Sequence, residues 1–110
     1  EERGVEVRLD GMLPMEPLIY DLVVQAAREC VTNCVRHAHG SVVFVRILGQ
    51  PGGYQVTITN DGERPRGEIR EGGGLNNLRR SVENAGGEMS VSAYPAFALR
   101  LNLMREEMDL

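Results

Sequence analysis

Two stretches of this chain carry side chains whose types and spacing could hold a charged ligand. The first is Glu29-Cys30-Val31-Thr32-Asn33-Cys34-Val35-Arg36-His37-Ala38. On a helix that advances about 100° per residue, Asn33 falls about 40° from Glu29, one turn on. A carboxylate and a carboxamide so placed offer oxygen ligands to a hard cation. Mg²⁺ suits them, because it takes one or two protein oxygens and fills its shell with phosphate and water. Arg36 falls about 20° to the other side of Glu29, where it could neutralise phosphate charge, and His37 lies at about 80°. A solvated helix face shows the same polar pattern, so the helix alone leaves both readings open. The second stretch is Gly72-Gly73-Gly74, which runs straight into an apolar-periodic segment at Leu75. Glycines let backbone amides approach a phosphate, and a helix N-terminus adds free N–H groups and positive dipole. A plain surface loop is the other reading.

Composition bounds the chemistry further. The 110 residues make one domain, and 12 basic against 16 acidic side chains leave a net charge of −4. Duplex nucleic acid and an anionic membrane both select a basic face, so neither is the expected partner. Every basic residue is Arg. Without Lys there is no Schiff-base or P-loop lysine chemistry. Two cysteines four apart do not make a disulfide framework, which points to a reducing compartment. No apolar run approaches the roughly 20 residues that span a bilayer. The start, Glu1-Glu2-Arg3-Gly4, lacks Met and signal-peptide character, as expected of a cut inside a longer protein.

The elements that must position these residues follow from periodicity. Val5, Val7 and Leu9 alternate with charged residues as a half-buried strand. Pro17 suits a helix's first turn, and Leu18 to Ala38 keeps helical periodicity, with Gly40 closing it. Val42 to Leu48 is a β-branched apolar run that predicts a central strand. The turn Gln50-Pro51-Gly52-Gly53 joins it to the alternating Tyr54 to Thr59 in an antiparallel hairpin. Asn60 to Gly74 reads as a long loop of the functional kind. Leu75, Leu78, Val82 and Ala85 mark one face of a short helix ended by Gly86-Gly87. Met89 to Ala93 and Phe97 to Leu103 form a second hairpin, and the tail from Arg105 is charged. The order β-α-β-β-loop-α-β-β predicts a two-layer α/β sandwich, with helices on one face of a mixed, mainly antiparallel sheet. Cys30, Cys34 and His37 fall within about 60° on the long helix and could be drawn as a zinc site. The two cysteines continue the apolar stripe of Val23, Ala27 and Val31, so the core is the reading taken.

Taken together, the segments resemble a known family. Glu29 to Ala38 looks like the N box of histidine kinases, E-x-x-x-N with a basic-His-Ala ending. Gly72 to Gly87 resembles their G-x-G-L-x-x-L-R-x-R-V-E-x-x-G-G block. Asn60-Asp61-Gly62 sits where the D-x-G adenine motif belongs. The resemblance covers nearly the whole chain and points to the GHKL ATP-binding superfamily. Within it, the match is to sensor kinases that signal to response regulators with helix-turn-helix output domains.

The resemblance implies ATP and Mg²⁺ as cofactors, with Asn33 a metal ligand and Glu29 positioning the metal, its water or the attacking group. Arg36, His37, Asn60, Asp61, Gly62, Gly72, Gly73, Gly74 and Leu75 complete the implied ATP site, and Glu63 to Glu71 would be a short lid. It implies transfer of the γ-phosphoryl group to a histidine on a neighbouring domain of the same protein, with a response regulator as the next partner. The intact protein would be a homodimer, with this part on the cytoplasmic side of a membrane-bound sensor. The isolated domain would be a monomer and would not phosphorylate itself. The chain departs from the pattern at three places: Asn60 stands for the adenine-reading Asp, Arg64 for a glycine, and Phe97-Ala98 for Gly-Thr. These departures motivate a second reading, a non-catalytic interaction or nucleotide-sensing module of the same fold; a third, an anti-sigma-factor serine kinase, follows from the shared fold alone.

Overall fold

The computed structural model describes residues 4–63, 73–93 and 96–104, apart from the His37 side chain. A five-stranded sheet, in the order β1-β2-β3-β5-β4, carries two helices. Its strands are β1 (Glu6–Asp10), β2 (Val42–Gln50), β3 (Gly53–Asn60), β4 (Glu88–Ser92) and β5 (Ala98–Met104). Only β1 and β2 run parallel; β2–β3, β3–β5 and β5–β4 are antiparallel. The α-helices are α1 (Pro17–Asn33) and α2 (Gly73–Asn84). The expected two-layer α/β sandwich is what the chain adopts.

Strand alternation decides which side meets the helices. One row of side chains, Val45, Ile58, Leu99 and Val91, crosses four paired strands, and Ile47, Val56, Leu101 and Met89 form the next. These residues join Leu22, Val23, Ala26 and Cys30 of α1 and Leu78 and Val82 of α2 in one core. Residues between them on the strands, such as Arg46, Thr57 and Arg100, point to the other face. Burying one face and solvating the other is what the alternating sequence encodes.

Two elements differ from the sequence-based expectation. The first strand is exposed along all five residues, with Val7 and Leu9 left 43% and 47% exposed. It is the sheet's edge, and its apolar side lies beyond the core that covers the strands inside it. Only Val5, just before it, is buried. The long helix does not run unbroken to Ala38. It is α-helical to Asn33 and continues as a π-helical turn, Cys34–Ala38. His39, not Gly40, takes the left-handed conformation that ends it, at φ 52°. A π turn holds one more residue than an α turn, and such turns collect at functional sites.

Pro17 opens α1 at its first turn as expected. The Pro51-Gly52 turn closes the first hairpin with Gln50 opposite Gly53, and Gly52 supplies the positive φ of 82° that the turn needs. Helix α2 begins two residues earlier than its apolar pattern, at Gly73.

Candidate functional site

Helix α1 and the start of α2 bring the two chemistry-bearing stretches together. Glu29 and Asn33 are half-buried and one turn apart on α1. Gly74 is the second residue of α2. A Cβ placed on Gly74 would fall on the Glu29 carboxylate. The carboxylate therefore occupies the space that any other residue type at position 74 would fill. It lies at the N-terminal end of a helix, where unpaired N–H groups and the dipole favour negative charge. Leu75 follows, buried in the core, and fixes the first turn of α2 through its apolar side chain.

The end of β3 forms a second part of the site. Asn60 pairs with Val43 and continues the helix-facing row of Val56 and Ile58, so its side chain belongs to the inner layer. Its Oδ1 accepts the backbone N–H of Gly62 at 2.8 Å. A carboxamide oxygen has two lone pairs, so the Gly62 N–H leaves one of them open to a ligand's donor.

Asp61 points into the protein's own backbone. Its Oδ1 accepts the N–H groups of Ser41 at 2.8 Å and Val42 at 2.9 Å, and its Oδ2 accepts the Ser41 hydroxyl at 3.0 Å. The two backbone N–H donors are the main reason its carboxyl sits below the usual carboxylate range. Asp61 was expected among the ATP-binding residues; its oxygens are engaged in bracing the start of β2 against the end of β3. The brace continues into the π turn, since the Glu63 N–H donates to the Ala38 carbonyl at 2.8 Å. Gly40 and Gly62 permit this closeness. A Cβ at Gly40 would lie 2.6 Å from Asp61 Oδ1 and 2.8 Å from Cys34 Sγ, and one at Gly62 would lie 2.5 Å from the Ala38 carbonyl oxygen. Nothing in the periodicity pointed to Ser41 as the partner of Asp61, because the pairing depends on how the π turn delivers the chain to β2.

The remaining expected site residues distribute as follows. Arg36 lies in the π turn and is exposed. The register that grouped it with Glu29 and Asn33 assumed an unbroken α-helix, which the π turn interrupts. His37 belongs to that turn by its backbone, and its side chain lies outside the described atoms. Gly72, Arg64 and most of the expected lid fall in 64–72, outside the described residues. Ala98 is a buried β5 residue paired with Thr59.

The donor set can be tested against Mg²⁺. Among the described residues, no three His, Cys, Asp or Glu side chains cluster as a metal site. Glu29 and Asn33 offer one charged and one neutral oxygen ligand. That is too few for an all-protein cage and fits Mg²⁺ completed by phosphate and water. Cys30 and Cys34 are free, buried in the core and pushed up in pKa by that burial, which bears out the apolar reading.

Comparison with known proteins meets this geometry. No family model matches the chain. A sensor histidine kinase of Bacillus subtilis, YxjM, is 31% identical over 94% of this chain, which spans 26% of that relative. The ATP-binding domain of PrrB from Mycobacterium tuberculosis superposes with a TM-score of 0.67 at 21% identity, covering 96% of this chain and 83% of that one. The histidine kinase domain of a blue-light activated kinase from Erythrobacter litoralis gives 0.71 at 19% identity, covering 94% and 52%. The solved structures establish the fold, and the curated relative carries the likeness into sequence.

Proposed function

We propose, from the premise that this chain belongs with the GHKL ATP-binding domains of sensor histidine kinases, that it binds Mg·ATP between α1 and the start of α2 and presents the γ-phosphoryl group for transfer. The observation that carries this reading is the meeting of the Glu29 carboxylate with Gly74. A phosphate at the glycine start of α2 would bring a second negative charge to the same place. Mg²⁺, when bound, supplies the positive charge that lets carboxylate and phosphate share it. Asn33 would hold the metal through its side-chain oxygen. Glu29 would orient the metal's water or the attacking group, and the amides of Gly73, Gly74 and Leu75 would hold phosphate oxygens. The base would lie toward Asn60 and Gly62, with Asp61 bracing that corner.

The acceptor in this proposal is a histidine of a separate phosphoacceptor domain. Its imidazole nitrogen would form the P–N bond as the bond from γ-phosphorus to the β,γ-bridging oxygen breaks and ADP leaves. Rate would come from positioning and charge neutralisation, since the domain has little covalent chemistry of its own to do. The chain covers about a quarter of its curated relative, so the response regulator, the dimeric state and a membrane-bound sensor context are further parts of the proposal. None of the described helices is long and apolar enough to cross a membrane.

Titrating the domain with ATP, with and without Mg²⁺, tests the reading. Saturable binding that tightens with Mg²⁺ is expected. No binding at millimolar Mg·ATP would refute it.

A further inference from the structure

We infer that the Glu29 carboxylate makes this site refuse a bare phosphate anion, so that a nucleotide binds well only when it arrives with its divalent cation. The inference rests on the nucleotide site proposed above and concerns what that site admits.

Three observations meet at the start of α2. First, the Glu29 carboxylate lies where a Cβ on Gly74 would fall, so a negative charge already stands beside the first turn of that helix. The unpaired amides and the dipole there favour an anion, and Glu29 is the anion that the chain itself supplies. Second, the carboxylate takes part in no hydrogen bond or ion pair with the described residues. It is held only by its root on α1, next to the buried Cys30. It can therefore shift for a ligand, but its charge stays close by. Third, the described side chains bring no offsetting cation. The turn reads Gly73-Gly74-Leu75-Asn76, without a charged side chain, and the chain has no Lys. Arg79, further along α2, donates from Nη1 to the Met89 carbonyl of β4 at 2.9 Å. Arg36 is exposed in the π turn.

A phosphate brought to the amides of Gly73, Gly74 and Leu75 thus meets a tethered negative charge. Both groups are partly shielded from water, where like charges repel over a less screened distance. Mg²⁺, when bound to the phosphates, removes most of that repulsion. Glu29 is thereby a specificity-determining residue, which separates the metal complex of a nucleotide from the free anion. Glutamine has nearly the same shape without the charge, so Glu29→Gln isolates the charge from the packing.

The test titrates ADP into this chain and into its Glu29→Gln variant by calorimetry, with excess Mg²⁺ and with EDTA, at one ionic strength. Wild type should bind Mg·ADP more tightly than metal-free ADP. Glu29→Gln should tighten metal-free ADP by about tenfold, the scale of one neighbouring like charge after salt screening. The gap between the two forms should narrow accordingly. Unchanged or weaker binding of metal-free ADP by the variant would overturn the inference. That includes the case in which the gap narrows only because Mg·ADP binds less well, since Glu29 would then serve the cation alone. Equal affinity of the wild type for both forms would overturn it without any variant. Failure of the wild type to bind either form at millimolar concentration would instead remove the nucleotide-site reading, and the inference with it.

Discussion

Gly74→Ala is the substitution that most directly interrogates the joint between α1 and α2. The new methyl group would land on the Glu29 carboxylate. Because that carboxylate ends a flexible side chain, it would swing away, and the fold would survive. Gly74 has no positive φ, so alanine meets no backbone strain there. Two terms then oppose one another. Alanine in place of glycine favours a helix by up to about 1 kcal/mol. Moving a carboxylate away from a helix N-terminus costs about 0.3–1 kcal/mol. In the wild-type background they should nearly cancel. In a Glu29→Ala background the second term is gone, and Gly74→Ala should stabilise by about 0.5–1 kcal/mol. The coupling between the two positions is therefore about 0.5–1 kcal/mol, measurable by a double-mutant cycle on urea unfolding. A contact this close should not leave the two changes additive. If the cycle closes within about 0.3 kcal/mol, the carboxylate does not sit at Gly74 in solution.

Other outcomes follow from the same geometry. Asn33→Ala should weaken ATP binding chiefly when Mg²⁺ is present, with little change in unfolding midpoint; equal weakening with and without metal would contradict a metal-ligand role. Asp61 has a lowered folded-state pKa, so its contribution to stability is full above the ordinary value of about 3.9 and fades as pH falls through the lowered one. Asp61→Asn should therefore flatten the acid side of the stability–pH curve and lower the plateau above it; an unchanged curve would mean the Ser41 and Val42 contacts are not stabilising. Cys30 and Cys34 should react with a thiol reagent only as fast as the domain opens, and labelling at the rate of a free thiol would refute their burial.

Much of the fold was legible because its elements bury one face each. The period-2 alternation of Tyr54 to Thr59 and Phe97 to Leu103 set both hairpins. The apolar stripe of Val23, Ala27, Cys30 and Val31 put the cysteines in the core. The polar pair Glu29 and Asn33 and the glycine run before Leu75 stood out because neither served burial. What the sequence concealed depends on tertiary delivery. The exposure of Val7 and Leu9 follows from β1 lying at the edge, which local alternation does not encode. The π turn at Cys34–Ala38 holds no glycine or proline to announce it, and it interrupts the α-helical register from which Arg36 was placed. The bracing of β2 by Asp61 was not legible from its place in a motif; it is visible only in the hydrogen bonds that Ser41 and Val42 donate to it.

The central claim is that phosphate binds where the Glu29–Asn33 face of α1 meets the glycine start of α2. The most direct measurement is a nuclear magnetic resonance titration of the domain with Mg·ATP, following backbone amides and the Asn33 side-chain amide. The account predicts that the amides of Gly73, Gly74 and Leu75 and the Asn33 carboxamide shift together along one saturable curve, while Arg46, Thr57 and Arg100 on the opposite sheet face stay in place. Saturable shifts confined to the opposite face, with Gly73 to Leu75 and Asn33 unmoved, would contradict it.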